Sequence, residues 1–259
     1  MGRWQSDKQY IGLMSNPPWR WFSNRLPSTC QVCDCWPAQA ICPACADRFA
    51  APQRGCRVCA LPLALGLAGA DVCGRCQTRT GPALLRACVA AVDYAYPWDT
   101  LIARFKFRDE PGWAGPMAAL LLKNPQTVAL WQQCDVVAPV PLTTERLASR
   151  GYNQAWELVK ALRRAMPAET AHDKTLADAL LRIGEVPNQH SLTREQRLRN
   201  LQGVFVAHPF RSAEIANAQV LLVDDVSTTG ATLHSAAHAL LQAGAQTVQA
   251  LVFARTPAH

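Results

Sequence analysis

The rhythm of apolar and polar positions changes near residue 87. From there to the end, short apolar runs alternate with stretches whose apolar residues recur every three or four positions, the marks of strands and helices respectively. Residues 87–95 read as a strand, and 100–107 as a short helix that Asp99 would cap. Residues 116–123 look helical. The run 135–140 is short and mostly apolar, and Pro139-Val140-Pro141 breaks it. Residues 152–165 have helical spacing, with Ala155, Leu158, Val159 and Leu162 on one face. Residues 176–183 read as a helix-to-strand segment, and the polar, basic stretch 184–200 as a mobile loop. Further strands are expected at 204–207, 220–223 and 247–253. Residues 233–243 form a helix with the stripe Leu233, Ala236, Ala237, Leu240 and Leu241, closed by Gly244 at C′. Strands separated by helices predict an α/β fold with a mainly parallel sheet covered on both faces. Such sheets take ligands beyond the carboxyl ends of their strands.

Before residue 77 the chain is organised by cysteine instead. Four C-x-x-C pairs follow one another: Cys30/Cys33, Cys42/Cys45, Cys56/Cys59 and Cys73/Cys76. Each such turn holds two sulfurs close enough for one tetrahedral ion, so four pairs supply two closed four-thiolate zinc sites. Sequential pairing gives a double zinc ribbon. A cross-braced pairing, first with third and second with fourth, has compatible spacing. A closed shell leaves no open coordination position, so these ions would hold the fold. Cys35 competes as a ligand beside the first knuckle, while Cys88 and Cys134 sit in apolar contexts and read as small buried side chains.

A length of 259 residues with 49% apolar content accommodates one sizeable core and a small appended module. No apolar run is long enough to span a bilayer. Residues 1–27 have no continuous apolar stretch of the secretory kind. A cytoplasmic, reducing setting follows, in which metal ligation is the expected use of eleven cysteines. The formal charge of +7 is weak evidence for nucleic acid, because each four-thiolate zinc site carries a net −2 and two would lower it to +3.

The densest chemistry lies in residues 220–233. An apolar strand delivers two adjacent carboxylates, Asp224 and Asp225, to its end, and a small-residue turn then opens a helix. Ser227, Thr228, Thr229, Gly230, Ala231 and Thr232 offer hydroxyls and backbone N–H groups to a phosphate at that helix N-terminus. Carboxylates repel phosphate, so their targets are sugar hydroxyls, which donate to them. The stretch reads as a ribose clamp followed by a phosphate cup. It carries no G-x-x-x-x-G-K-[ST] nucleotide loop. His234 and His238, four residues apart, lie off the apolar stripe and read as surface histidines.

Four apolar residues, two acids and a Thr-Thr-Gly turn resemble the phosphoribosyl pyrophosphate (PRPP) signature of type I phosphoribosyltransferases. Residues 135–142, then Arg146 and Arg150-Gly-Tyr-Asn-Gln-Ala155, resemble the PVPL…RGxNQ stretch of the ComF (competence protein F) family. Gln189, Arg197, Asn200 and Phe205 fall on its Q…R..N…F run, Leu101-Ile102 with Phe105-Lys106-Phe107 on its LI..FK element, and the cysteine pairs on its zinc ribbons. The resemblance covers about residues 28–255. It implies an unassigned extension at 1–27, a double zinc ribbon at 28–80 and a phosphoribosyltransferase-like domain at 81–259.

It further implies that Pro139, Val140 and Pro141 form a pyrophosphate loop, helped by Arg146 or Arg150, holding a diphosphate with Mg²⁺. Arg146 and Arg150 read equally well as an exposed helix start, and Lys106 as a solvated helix-end lysine. The candidate lid carries Gln189, Arg194, Arg197, Arg199 and Asn200. Two functions are compatible with these residues. One is a phosphoribosyltransferase supporting the uptake or use of external DNA. The other is a non-catalytic, PRPP-responsive accessory protein that binds single-stranded DNA and works with a DNA-uptake or helicase partner.

Overall fold

The structure, a computed structural model, describes residues 28–51, 54–63, 71–167, 174–183 and 204–257. The extension 1–27 and the lid residues Gln189, Arg194, Arg197, Arg199 and Asn200 therefore lie outside the described residues. The chain divides into two compact units, Met1–Cys45 and Ala46–His259. The first contains the cysteines from Cys30 to Cys45, and α1 (Pro43–Phe49) spans the division. The second contains the remaining cysteines and all of the sheet, so the knuckle residues Cys56 to Cys76 fold with the sheet.

Within the second unit the order is α2 (Gly74–Gln77), β1 (Cys88–Asp93), α3 (Trp98–Phe107), α4 (Ala114–Leu122), α5 (Pro125–Gln133), β2 (Val136–Pro139), α6 (Thr144–Arg150), α7 (Gln154–Ala165), β3 (Leu180–Arg182), β4 (Phe205–Ala207), α8 (Ser212–Ile215), β5 (Gln219–Ser227), α9 (Ala231–Gln242) and β6 (Thr247–Arg255). Four strands form a sheet in the order β1-β6-β5-β2 with every pairing parallel. The expected mainly parallel α/β sheet is thus present. Strands β3 and β4 pair antiparallel as a separate hairpin-like layer.

Both faces of the sheet are covered, which is why Val220, Leu221, Leu222 and Val223 are consecutively apolar and fully buried. On one face Val220, Leu222 and Ala250 pack with Leu233, Ala236, Ala237 and Leu240 of α9 and with Leu180 and Phe205 of the small layer. On the other, α7 lies against β2 and β5 with Ala155, Leu158, Val159 and Leu162 buried. Full burial of each such Leu or Val contributes about 1.5–3 kcal/mol.

Of the helices that were not foreseen, α5 and α6 flank β2. α5 begins at Asn124-Pro125, where the Asn124 side chain accepts from the Gln126 N–H and Pro125 occupies the first turn. α6 is capped by Thr143, whose hydroxyl accepts from the Arg146 N–H, and ends at left-handed Gly151, φ 72°. It buries no residue, so it has no apolar period to detect. Asp99 lies inside the first turn of α3, where Oδ1 accepts from the Thr100 N–H at 2.7 Å, and it does not precede the helix as a cap. In residues 176–183 only the strand Leu180–Arg182 forms, with no helix. Among the described residues, no helix is long and apolar enough to cross a membrane.

Candidate functional site

The acidic pair owes its setting to strands of unequal length. β2 pairs with β5 only as far as Pro139 opposite Val223, while β6 continues beside β5 through Ser227 opposite Arg255. Val140 still donates its N–H to the Val223 carbonyl at 2.9 Å. Pro141 has no N–H to extend the ladder. The last residues of β5, from Asp224 onward, therefore have a neighbour on one side only, and a gap opens at the carboxyl end of the sheet.

Side chains alternate along a strand, so adjacent acids leave opposite faces. Asp225 meets Lys106 of α3, with Nζ 3.0 Å from Oδ1, and only 6% of its surface is exposed. Asp224 keeps part of its surface open. Burial, then the neighbouring Asp225 charge, push the Asp224 carboxyl up to about 7, while Lys106 and Arg182 pull it down. The pair is thus less open than the sequence suggested, since Lys106 is not a solvated helix-end residue but covers Asp225. Arg182, on β3, was not singled out from sequence. Burial lowers its guanidinium from the ordinary value and Arg146 adds to this, with Asp224 opposing. Burial also lowers Arg150, with Asp225 opposing. Three cations, Lys106, Arg150 and Arg182, therefore act on the two acids.

The segment expected to hold a diphosphate is firmly braced. Pro139 and Val140 are buried and Pro141 is partly so. Asn153 donates from Nδ2 to the Val140 carbonyl at 3.0 Å, while its Oδ1 accepts from the Ala155 and Trp156 N–H groups and caps α7. Arg150 ends α6, lies 5.0 Å over the Phe107 ring, and donates to Gln154 Oε1 at 3.0 Å. The Tyr152 hydroxyl donates to the Phe105 carbonyl, fixing α3 beside Lys106. Arg150 is half-buried and feels the Asp225 and Asp224 charges, so it is not a merely solvated helix start. Arg146 is exposed in the first turn of α6, as the alternative reading of a helix start had it.

Past the acids, Thr228 and Thr229 are exposed, and Gly230, φ 81°, opens α9. A side chain there would be strained and would place Cβ 3.3 Å from the His234 ring. The Ala231 N–H is turned toward Thr229 Oγ1 at 3.3 Å, and Thr232 is partly open. Ser227 is buried, ends β5 and lines the pocket over this turn. The pocket over this turn, lined by Asp224, Ser227, Thr228, Gly230 and Thr232, has a volume of about 20 Å³. His234 is only 8% exposed, not a surface residue; its Nδ1 is 2.6 Å from the Gly230 carbonyl.

A larger cavity, about 680 Å³, runs along the free edge of β1 and touches Gly55, Arg57, Val89, Asp93 and Leu130. It contains none of the acid pair, the loop or the surrounding cations. Asp224 and the small-residue turn line the smaller pocket instead, at the strand ends where open parallel sheets take ligands.

The cysteines cluster in sequential order. Cys56, Cys59, Cys73 and Cys76 bring their sulfurs within 4.8 Å of one another, with Cys59 and Cys73 Sγ 3.7 Å apart and the Cys73 N–H donating to Cys56 Sγ at 3.3 Å. In the first unit the set within 4.8 Å is Cys30, Cys33, Cys35 and Cys42. The Cys42 N–H donates to Cys30 Sγ at 3.3 Å. Cys45 stands beside this set, its N–H donating to Cys42 Sγ at 3.4 Å, and burial with the sulfurs of Cys33, Cys42 and Cys30 raises its thiol. Five thiols thus meet where four were expected. Burial raises Cys30 and Cys56, but N–H donors outweigh it and bring them down to about 6 and about 7. Each cluster has the donors to hold a metal ion. Cys88 and Cys134 are buried singly, as expected.

Against known proteins, a family model described as phosphoribosyl transferase domain matches residues 175–259, the stretch with β3 to β6, the acids and the loop. The DNA utilization protein YhgH of Escherichia coli K12 is 31% identical over 220 residues, 83% of this chain and 90% of that protein. Competence protein F of Haemophilus influenzae Rd is 30% identical over 165 residues, 62% of this chain and 69% of its own length. Competence protein ComFC of Bacillus subtilis 168 is 35% identical over 109 residues, 42% of this chain and 39% of its own.

Proposed function

The chain belongs to the ComF family, built on a phosphoribosyltransferase domain, and on that premise we propose that it binds PRPP with Mg²⁺ at the end of β5 in support of DNA uptake or use. The observation that carries this reading is two carboxylates attended by Lys106, Arg150 and Arg182 beside a left-handed Gly230 turn. A sugar with a phosphate at one end and a diphosphate at the other needs acids for its hydroxyls and cations at both ends. In this reading the backbone N–H groups of Thr228 to Ala231 take the 5′-phosphate. The Val140–Pro141 segment, with Arg146 and Arg150, takes the diphosphate. Asp224 and Asp225 accept from the ribose hydroxyls. Asp225 becomes available when Lys106 swings from it to the diphosphate. Mg²⁺ would neutralise diphosphate charge.

The second cysteine set fits zinc: its 3.7 Å sulfur separation is close to the edge of a tetrahedron with Zn–S of about 2.3 Å. The first set fits a second ion, with Cys35 and Cys45 as alternatives for the fourth position. Such free thiolates belong in a reducing, cytoplasmic setting. The relatives' names, DNA utilization and competence proteins, support DNA as a partner; the proposed partners are single-stranded DNA and a DNA-uptake or helicase protein. The basic lid with Arg194, Arg197 and Arg199 is the proposed contact.

Calorimetry with PRPP and Mg²⁺ on wild type, Asp224→Asn and Asp225→Asn tests the site. Wild type should bind, and each variant should lose at least tenfold in affinity. Absence of wild-type binding, or unchanged affinity in both variants, would falsify the reading. Pyrophosphate release across a panel of nitrogenous acceptors then separates a transferase from a PRPP-responsive binder.

A further inference from the structure

The carbonyl oxygens of Ser227, Thr228 and Gly230 in the phosphate turn accept from side chains that lead to the second cysteine knuckle, beside the backbone bonds that Thr256 and His234 give to the first and last of them. Arg255, the last residue of β6 and 2% exposed, donates from Nη1 to the Ser227 carbonyl at 2.9 Å and also to the Thr228 carbonyl. Its Nε donates to the Cys59 carbonyl at 2.9 Å. The Gly230 carbonyl lies 2.6 Å from His234 Nδ1, and His234 Nε2 lies 2.7 Å from Arg79 Nη1, three residues beyond Cys76. A carbonyl only accepts, so Nδ1 donates and the imidazole is the neutral Nδ1–H tautomer. Its Nε2 is then left to accept from Arg79. All of these residues belong to the unit Ala46–His259.

A trans peptide holds its C=O and the following N–H in one plane, pointing in opposite directions. Tying the carbonyls of Ser227, Thr228 and Gly230 backward therefore aims the N–H groups of Thr228, Thr229 and Ala231 away from the knuckle, where the Ala231 N–H meets Thr229 Oγ1 at 3.3 Å. The Arg255 guanidinium also places a buried positive charge behind the turn.

We propose that Arg255 and the Arg79–His234 pair are positioning residues. They transmit the fold of the Cys56/Cys59/Cys73/Cys76 knuckle to the phosphate loop, so that loop order and PRPP affinity depend on an intact knuckle. This rests on the PRPP reading for the ligand, but the positioning itself is read without one.

The test uses the full-length, metal-loaded protein and two measurements: amide hydrogen exchange at Thr228–Ala231, and calorimetry with PRPP and Mg²⁺. Arg79 is exposed, so Arg79→Met leaves the core intact. That variant and Arg255→Lys should speed exchange at the loop amides at least fivefold, with the β2 amides unchanged, and weaken PRPP five- to twentyfold. His234→Leu should behave likewise, and His234→Asn, whose amide still donates to the Gly230 carbonyl, should recover most of the loss. Loop exchange within twofold of wild type in Arg79→Met and Arg255→Lys overturns the proposal, whatever PRPP does. Failure of wild type to bind PRPP would instead retire the ligand assignment and leave the exchange result to decide the positioning.

Discussion

Replacing Asp224 by Asn should make the protein more stable at alkaline pH while removing its function. The substitution deletes one charge but keeps an Oδ1 to accept the Asp225 N–H, a bond now 2.8 Å long. Burial and the Asp225 charge hold Asp224 at about 7 in the native protein, against a model-compound value of 3.8. An acid raised on folding retains its proton in the native state when the unfolded chain has already released it. Its contribution is therefore whole below pH ~4 and is lost as pH rises toward ~7. The full difference corresponds to about 4 kcal/mol. The two carboxylates titrate as a pair and Asp224 is partly hydrated, so about half of that, ~2 kcal/mol, is the expected gain at pH 8. In a chain of this size that is about 4–8 °C in Tm. Thermal unfolding of metal-loaded wild type and Asp224→Asn from pH 5 to pH 8 measures it. The lower limit keeps the thiolate ligands from being protonated off their ions. The offset should be smallest at pH 5, widen up to about pH 7 and level off by pH 8, with the variant the more stable. A variant less stable than wild type at pH 8, or an offset that ignores pH, would refute the electrostatic argument.

Two further outcomes are expected. Lys106→Met frees Asp225 but deprives the diphosphate of a cation, so PRPP affinity in calorimetry should fall about tenfold, the worth of one charge-assisted contact; an increase would make Lys106 a plug, not a ligand. Binding of a fluorescent single-stranded oligonucleotide should weaken with a log–log salt slope near −0.7 per phosphate contact. Neutralising Arg194, Arg197 and Arg199 together should flatten that slope by about 2, and an unaltered slope would remove the lid from the interface.

The strongest periodicities in the sequence translate directly into the fold. The uninterrupted run 220–223 is a strand buried on both faces, and the stripe Leu233, Ala236, Ala237, Leu240 is the inner face of α9. The acidic pair and its glycine turn were legible because their chemistry is packed into nine consecutive residues, Asp224 to Thr232. What stayed hidden is what depends on distant segments meeting. Lys106 reaches Asp225 from a helix more than a hundred positions earlier, and Arg182 approaches Asp224 from a short strand whose three residues show no period. His234 looks off-stripe because its face of α9 turns toward Arg79 and not into the apolar core, a polar burial that hydropathy cannot distinguish from exposure. The fifth cysteine is the same kind of case: C-x-x-C spacing favours Cys45, while the fold of the turn after Cys33 brings Cys35 into the cluster.

The free margin of β1 gives the second cysteine knuckle a further task. β1 lies at one end of the sheet order, and such a strand presents unpaired backbone groups that another chain can join. Here the Arg57 carbonyl accepts the Cys88 N–H at 2.7 Å, and Arg57 Nη1 donates to the Arg86 carbonyl at 3.1 Å. At Cys88 the knuckle thus occupies the position where a neighbouring molecule would otherwise begin to continue the sheet, and a protein stripped of that module would lose a guard against self-association together with a cysteine cluster able to hold a metal ion.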